Sequence, residues 1–160
     1  INNVGRMSEN AFKEYVSAEA IESVKYLLKQ GYNISQGSSK GADLLAETIS
    51  EENYEMTKLL LEYGADPNIG AWGNEEPVWI YTCERGNLEI LDLLLEYGAD
   101  LESYGGKAMR QAIEYCNLDV IELLAKKGVK ITEDLYQFSQ DDISSDHVRE
   151  YVKQLYEQHG

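Results

Sequence analysis

Residues 88–102 read LEILDLLLEYGADLE, and this stretch decides the fold. Its apolar residues recur at helical intervals as far as Leu95, and Gly98 follows where a helix needs a left-handed residue to stop. The run is apolar on more than one side, so it must be covered by more than one neighbour. The stretch therefore predicts a short helix that packs against a partner helix and against further structure.

The same pattern occurs three more times in the chain. The related stretches are 21–35 (IESVKYLLKQGYNIS), 54–68 (YEMTKLLLEYGADPN) and 118–132 (LDVIELLAKKGVKIT). The four helix-ending glycines, at intervals of 33, 34 and 30 residues, are Gly31, Gly64, Gly98 and Gly128. Regular spacing of this kind indicates a stack of repeated units, each packed against its neighbours.

A second, shorter helical segment precedes each of these helices. The predicted segments are Ser8–Ala18, Asp43–Ser50, Pro77–Arg85 and Lys107–Tyr115. Gly86-Asn87 and Cys116-Asn117 are predicted to turn the chain inside two of the units, with Asn at positive φ. Each unit is therefore predicted to consist of a helix, a tight turn, a second helix, a glycine that ends this helix, and an extended loop. The loops between units are expected at Ser35–Ala42, Ile69–Glu76 and Ser103–Gly106.

The C-terminal part of the chain predicts a final unit of a different kind. Thr132 has the character of a helix N-cap, and Ser145-Asp146 begins another helix with an apolar stripe and a polar outer face. A polar outer face is what a terminal capping unit requires. We expect one domain over residues 1–160, with residues 1–7 as a tail or vector-derived segment. Its units are expected at about 8–35, 41–68, 77–102 and 107–131, with the capping unit at 132–160.

Residues 89–100, EILDLLLEYGAD, resemble the second helix of an ankyrin repeat and the start of the loop after it, and Lys58–Asn68 is a similarly close match. The resemblance implies an all-α ankyrin-repeat solenoid of about four repeats plus a degenerate C-terminal capping repeat. The family's Thr-Pro-Leu-His tetrad is poorly kept. Where it corresponds to Pro77-Val78-Trp79-Ile80, Trp79 replaces the inward Leu and is expected in the core.

The chain is strongly acidic, with 29 Asp and Glu against 14 Lys and Arg and a net charge of −15. This excess opposes binding to phosphate backbones and anionic membranes, which depends on Lys and Arg. The sequence contains no apolar run long enough to cross a bilayer. We therefore expect a cytoplasmic, monomeric chain with a basic protein partner and no direct binding to nucleic acid or membrane. The acidic surface is equally consistent with a role in solubility alone.

The sequence does not bring together the parts of a catalytic or metal site. His147 and His159 lie twelve residues apart in the predicted capping unit, and Cys83 occupies a small, inward position. Gly105-Gly106-Lys107 lacks the first Gly and the final Ser or Thr of a phosphate loop, and it is predicted as a truncated hairpin. We accordingly predict no catalytic residue, no metal ligand and no cofactor.

The ankyrin resemblance also implies that the three loops between units project as fingers, and that a partner would bind on these finger loops and on the exposed side of each first helix. The predicted partner-binding residues are Trp72, Tyr104, Tyr81, Glu84, Arg85, Gln111, Glu114 and Tyr115. Trp72 and Tyr104 are placed at finger tips, where an exposed aromatic either anchors an interface or folds back on the neighbouring loop. With Tyr81, Arg85 and Tyr115, these two residues are expected to form one binding surface.

Two classes of function remain compatible with the sequence. The first is a non-enzymatic protein-binding module, one form of which is a dedicated inhibitor such as an immunity protein. The second is an acidic nucleic-acid mimic whose carboxylates occupy the basic cleft of a nuclease or DNA-binding protein. Carboxylates that are dense on one face would favour the mimic, whereas scattered carboxylates would favour the module.

Overall fold

The computed structural model describes residues 9–34, 39–141 and 145–159. Within these ranges the chain forms ten α-helices and one 3₁₀ turn, and it contains no β-strand. The chain divides after Trp79 into two compact units. None of the helices in the described ranges is both long enough and apolar enough to span a bilayer.

The first unit, which ends at Trp79, is built from two helix pairs. Its helices are α1 (Glu9–Ser17), α2 (Ile21–Lys29), α3 (Ser39–Ser50) and α4 (Tyr54–Glu62). α1 packs on α2 and α3, and α4 packs on α3 and α2. First helices therefore stack on first helices and second helices on second helices, as expected for adjacent repeats.

The second unit contains three further helix pairs. The 3₁₀ turn Val78–Ile80 leads into α5 (Tyr81–Arg85), which is followed by α6 (Leu88–Glu96), α7 (Leu101–Glu114), α8 (Leu118–Lys126), α9 (Glu133–Gln140) and α10 (Asp146–His159). α7 packs on both α5 and α9, while α6 packs on α8. The same stacking of repeats thus continues through this unit.

The predicted second helices are confirmed as α2, α4, α6 and α8. Each is followed by its glycine in the left-handed region, with φ of +92° at Gly31 and Gly64, +89° at Gly98 and +99° at Gly128. Leu94 and Trp79 are completely buried, as the repeat pattern and the replaced tetrad predict. The periodic apolar residues and the glycine stops therefore locate these helices correctly.

The turn between the two helices of a repeat differs from the prediction. The positive φ falls on the residue before the N-cap position of the second helix, and in the four repeats this residue is Glu19, Glu52, Gly86 and Cys116. The prediction of Asn at positive φ was wrong because Asn53, Asn87 and Asn117 occupy the N-cap position itself, where φ is negative. In the third repeat, for example, Asn87 Oδ1 accepts a hydrogen bond of 3.0 Å from the Ile90 N–H.

The first helices also depart from their predicted bounds. α3 begins at Ser39, so the end of the predicted finger Ser35–Ala42 is helical, while residues 35–38 lie outside the described ranges. The segment Pro77–Arg85 forms the 3₁₀ turn first and becomes α-helical only at Tyr81. α7 begins at Leu101, six residues earlier than expected.

The early start of α7 overturns two predictions. Ser103–Gly106 is helical and forms no finger, and Gly105-Gly106-Lys107 forms no hairpin. The cause is Asp100, which caps the helix by accepting a hydrogen bond of 2.9 Å from the Ser103 N–H. Gly105 is required there by packing, since a Cβ at this position would lie 2.9 Å from Val129 Cγ2.

The final helix pair, α9 and α10, has the predicted caps. The Leu135 N–H donates to Thr132 Oγ1 over 3.4 Å, and the Val148 N–H donates to Ser145 Oγ over 3.3 Å. The rings of Tyr136 and Tyr156 stack with their centroids 4.7 Å apart and join the two helices. Residues 142–144 of the connecting loop lie outside the described ranges.

Candidate functional site

Six of the predicted partner-binding residues lie on α5 and α7 at matching positions. Each helix contributes three residues spaced as i, i+3 and i+4, which places them on one side of the helix. Because α5 packs on α7, the two sets are neighbours within the second unit. We call this set the α5–α7 surface; it consists of Tyr81, Glu84 and Arg85 on α5, with Gln111, Glu114 and Tyr115 at the end of α7.

An electrostatic interaction joins the two sets, because Tyr115 lies close to the carboxylate of Glu84. The charge of Glu84 raises the pKa of Tyr115 above its ordinary value, with smaller contributions from burial and from Glu114. Tyr115 is nevertheless 47% exposed, and Arg85 is exposed as well. The α5–α7 surface therefore presents an aromatic side chain and a guanidinium group to solvent.

Tyr104 does not lie at a finger tip, so that prediction was wrong. It is half-buried in the first part of α7. Lys107 Nζ lies 6.0 Å from the centroid of its ring, which is a cation–π distance. Tyr104 precedes Gln111 by seven residues, or two helical turns, and therefore lies on the same side of α7 as the α5–α7 surface.

Trp72 occupies the tip of a finger, as predicted, and its side chain is 58% exposed. The finger is a short hairpin in the first unit. Gly70 pairs with Pro77 in an antiparallel bridge, and the Val78 N–H donates to the Ile69 carbonyl oxygen over 3.1 Å. Trp72 is thus displayed by a hydrogen-bonded loop.

Carboxylates crowd together in the first unit, around the end of α3. Burial raises the pKa of Glu51, and the charges of Glu47 and Glu19 raise it further. Lys13 Nζ lies 3.5 Å from Glu47 Oε2, and the Ser17 hydroxyl donates to Glu47. We call Glu19, Glu47 and Glu51 the acidic cluster; it marks a place where the first unit repels further negative charge.

Acidic residues of the second unit are interspersed with basic ones. The ion pairs there are Lys126 with Glu122 (2.6 Å), Lys127 with Asp92 (2.8 Å) and Arg149 with Asp146 (3.7 Å). Arg110 also lies over the Phe138 ring at 3.6 Å from its centroid. The second unit therefore presents charges of both signs.

Cys83, a potential nucleophile, is a free cysteine buried in the second unit. Burial raises the pKa of Cys83 to about 12, so its thiol stays protonated near neutral pH. This agrees with the predicted packing role of Cys83. The described ranges bring together no group of three or more His, Cys, Asp or Glu residues that could hold a metal ion.

Comparison with known proteins agrees with this geometry. Residues 70–134 match the family model for ankyrin repeats, described as three copies. An ankyrin repeat domain from Acinetobacter baumannii is 26% identical, with a TM-score of 0.67 over 78% of this chain. The match spans 65% of that protein's chain. No similar curated protein is found. Paired helices, glycine stops at repeat spacing, the family match over residues 70–134 and the shared fold together show that this chain has the ankyrin-repeat fold and contains ankyrin repeats.

Proposed function

We propose that this chain is a protein-binding module and that its partner makes contact with the α5–α7 surface. Ankyrin repeats are generally protein-interaction modules, and the fold is typically a non-enzymatic scaffold. The observation that carries the proposal is the exposure of Tyr115 and Arg85 on one side of two adjacent first helices. Tyr and Arg are among the residue types that contribute most to interface energies.

The acidic cluster and the net charge of −15 support a basic partner. A Lys or Arg side chain placed near Glu47 and Glu51 would relieve the repulsion that raises the pKa of Glu51. Long-range attraction would also increase the rate of encounter with a basic protein. A dedicated inhibitor of a basic protein, such as an immunity protein, is the form of this role that we favour for an acidic chain.

The acidic cluster is also the observation that favours the nucleic-acid mimic as a second candidate. A mimic would need its carboxylates to continue along one face, whereas the acids of the second unit alternate with Lys and Arg. Competition distinguishes the two roles. Duplex DNA would displace a mimic from its partner, but it would leave a partner bound through the α5–α7 surface in place.

A pair of matched tyrosine variants tests the binding surface. Tyr115 and Tyr97 each follow the last residue of a helix in the second unit, and they are 47% and 38% exposed. The wild-type chain is used to capture a partner from a native lysate, and the purified partner is then titrated. Tyr115→Ala should weaken binding about 30-fold, since truncating an anchor costs about 2 kcal/mol or more. Tyr97→Ala should bind like wild type.

If Tyr97→Ala lost the partner while Tyr115→Ala bound it like wild type, the interface would lie on another side of the unit. Equal binding by both variants would remove the α5–α7 surface from the interface.

Ionic strength tests the charge of the partner. Exposed charges are screened beyond about 8 Å at physiological salt, so association with a basic protein should slow as salt increases. Glu47→Gln with Glu51→Gln should reduce the low-salt on-rate. An on-rate that does not respond to salt would refute a basic partner and leave contact binding intact.

A further inference from the structure

The tip of the finger that carries Trp72 has an unusual backbone. Trp72 has φ of +53° and Gly73 has φ of +78°, and the Asn74 N–H donates to the Ala71 carbonyl oxygen over 2.9 Å. Positive φ at both central residues, closed by this hydrogen bond, is characteristic of a type I′ turn. Trp72 therefore occupies the first central position of such a turn.

That position strongly favours Asn, Asp or Gly, because these residues tolerate a left-handed backbone. A bulky side chain at positive φ is a genuine outlier. Outliers of this kind persist where the surrounding structure imposes them, and they cluster at binding and catalytic sites. The choice of Trp at this position is thus unfavourable for the turn itself.

The surroundings of the turn do impose this conformation. The Trp72 N–H donates a hydrogen bond of 2.5 Å to Asp43 Oδ1 on α3. At the neck of the hairpin, a Cβ on Gly70 would lie 1.7 Å from the Asn74 carbonyl oxygen, so the loop closes this tightly only around glycine. The indole is fixed at an exposed tip, whereas Trp79, the other Trp of the chain, is completely buried.

The electrostatic setting of the tip indicates what it would meet. From residue 59 to residue 79 the sequence contains no Lys or Arg, while Glu75 lies exposed three residues after Trp72. The finger thus pairs a large aromatic side chain with negative charge.

We propose that Trp72 is a preorganised anchor that inserts into an apolar recess on a basic partner protein. Lys or Arg at the rim of the recess pairs with Glu75, and Asp43 is a positioning residue that holds the turn to α3. This inference rests on the proposed protein-binding function and adds the anchor and the chemistry of its receptor. Because the turn is already in its binding conformation, little conformational freedom is lost on association.

The central test exploits a trade-off between stability and binding. Trp72→Asn places the preferred residue in the turn, so the urea midpoint should rise, while binding should weaken about 30-fold. The probe is a set of small folded domains without Trp, displayed as a library and selected on the wild-type chain, because only a folded surface can form a recess for the indole. Trp72→Phe, which keeps an aromatic ring, should bind with intermediate affinity.

Acrylamide quenching gives a readout that belongs to Trp72 alone, because Trp79 is buried. The selected domains should protect the indole from quenching. Gly73→Ala leaves Trp72 in place and meets no atom within 4 Å, so it perturbs only the turn. It should weaken binding several-fold if preorganisation contributes. Glu75→Gln should weaken binding at low salt and leave it unchanged at high salt.

Each contrary outcome has a defined meaning. A lower urea midpoint for Trp72→Asn would show that the indole stabilises the fold by packing, and it would overturn the proposal. Selected domains that bind Trp72→Asn as tightly as wild type, or that leave the indole open to acrylamide, would overturn it as well. In that case a partner that still depends on Tyr115 would preserve the proposed function.

Discussion

The side-chain amide of Asn117 donates a hydrogen bond of 2.7 Å to the carbonyl oxygen of Cys83, one repeat earlier in the chain. A second bond of 2.8 Å reaches the carbonyl oxygen of Glu84. Both acceptors lie near the end of the five-residue helix α5, where main-chain carbonyls lack partners within their own helix. Asn117 therefore joins two successive repeats, whereas Asn87, at the matching position, caps its own helix.

Replacing each of these asparagines with Asp should have very different effects. Asp accepts hydrogen bonds and cannot donate them when ionised, so Asn117→Asp would direct a carboxylate at two carbonyl oxygens. We expect a loss of about 2–3 kcal/mol in the free energy of unfolding. Asn87→Asp should be nearly neutral, because Asp and Asn are about equally good N-caps. Urea titrations of both variants at neutral pH measure the difference.

Equal losses in the two variants would contradict this account, since they would show that Asn117 acts only as a helix cap. A neutral Asn117→Asp would show that the amide bonds to the preceding repeat contribute nothing.

The sequence predicts α2, α4, α6 and α8 because their signals are local. Apolar residues at helical spacing and a glycine at the end need no knowledge of the rest of the chain. The prediction of a loop at Ser103–Gly106 was wrong because the signals that decide this segment are not all local. Two adjacent glycines usually mark a loop, but Asp100 caps a helix ahead of them and Val129 packs against Gly105. The second contact is tertiary, so the sequence pattern cannot reveal it.

In the candidate site, too, some features can be predicted from the sequence pattern and others depend on tertiary contacts. Repeat register alone places Tyr81 beside Gln111 and Glu84 beside Glu114, because equivalent positions of stacked repeats are neighbours. The positive φ of Trp72 could not be predicted, because residue preference argues against it. It exists because the neck of the hairpin and the bond to Asp43 fix the backbone.

The turn within the second repeat offers a stabilising substitution. Glu52 has φ of +56° at the position where the next repeat has Gly86. A left-handed backbone costs a residue with a Cβ roughly 1–2 kcal/mol, part of which is offset by the flexibility of glycine in the unfolded chain. Glu52→Gly should therefore increase the free energy of unfolding by about 0.5–1 kcal/mol.

Glu52→Gln is the control, because it removes the charge and keeps the Cβ. It should leave the urea midpoint close to wild type. If Gln stabilised the protein as much as Gly, the gain would come from charge, and the left-handed backbone would not be the cause.

The two cysteines should differ in reactivity. The pKa of Cys83 is raised to about 12 by burial, so its thiol is protonated near neutral pH. Cys116 is half-buried, and its Sγ accepts a hydrogen bond from the Ser145 N–H at 3.3 Å. A thiol reagent should label Cys116 in the folded protein and Cys83 only after unfolding.

Mass spectrometry of two single-cysteine proteins checks this difference. Cys83→Ser should be labelled under native conditions, and Cys116→Ser should be labelled only in denaturant. Rapid native labelling of Cys116→Ser would mean that α5 opens frequently and that Cys83 is not held in a stable core.

The acidic cluster should make stability depend on pH. Burial raises the pKa of Glu51 above its ordinary value of 4.5, and the charges of Glu47 and Glu19 raise it further. The folded protein therefore binds the Glu51 proton more tightly than the unfolded chain does. The contribution of Glu51 to the free energy of unfolding falls as pH rises from 4.5 through the raised pKa, and it recovers as pH falls again. Glu51→Gln removes this titration, so the variant should exceed wild type in stability near neutral pH and converge with it on acidification.

Glu55→Gln, on the exposed part of α4, controls for the loss of one negative charge from an acidic chain. Urea midpoints of the three proteins across this pH range provide the measurement. A gap between Glu51→Gln and wild type that is no larger than that of Glu55→Gln, or that stays constant with pH, would show that the three carboxylates do not crowd one another in solution.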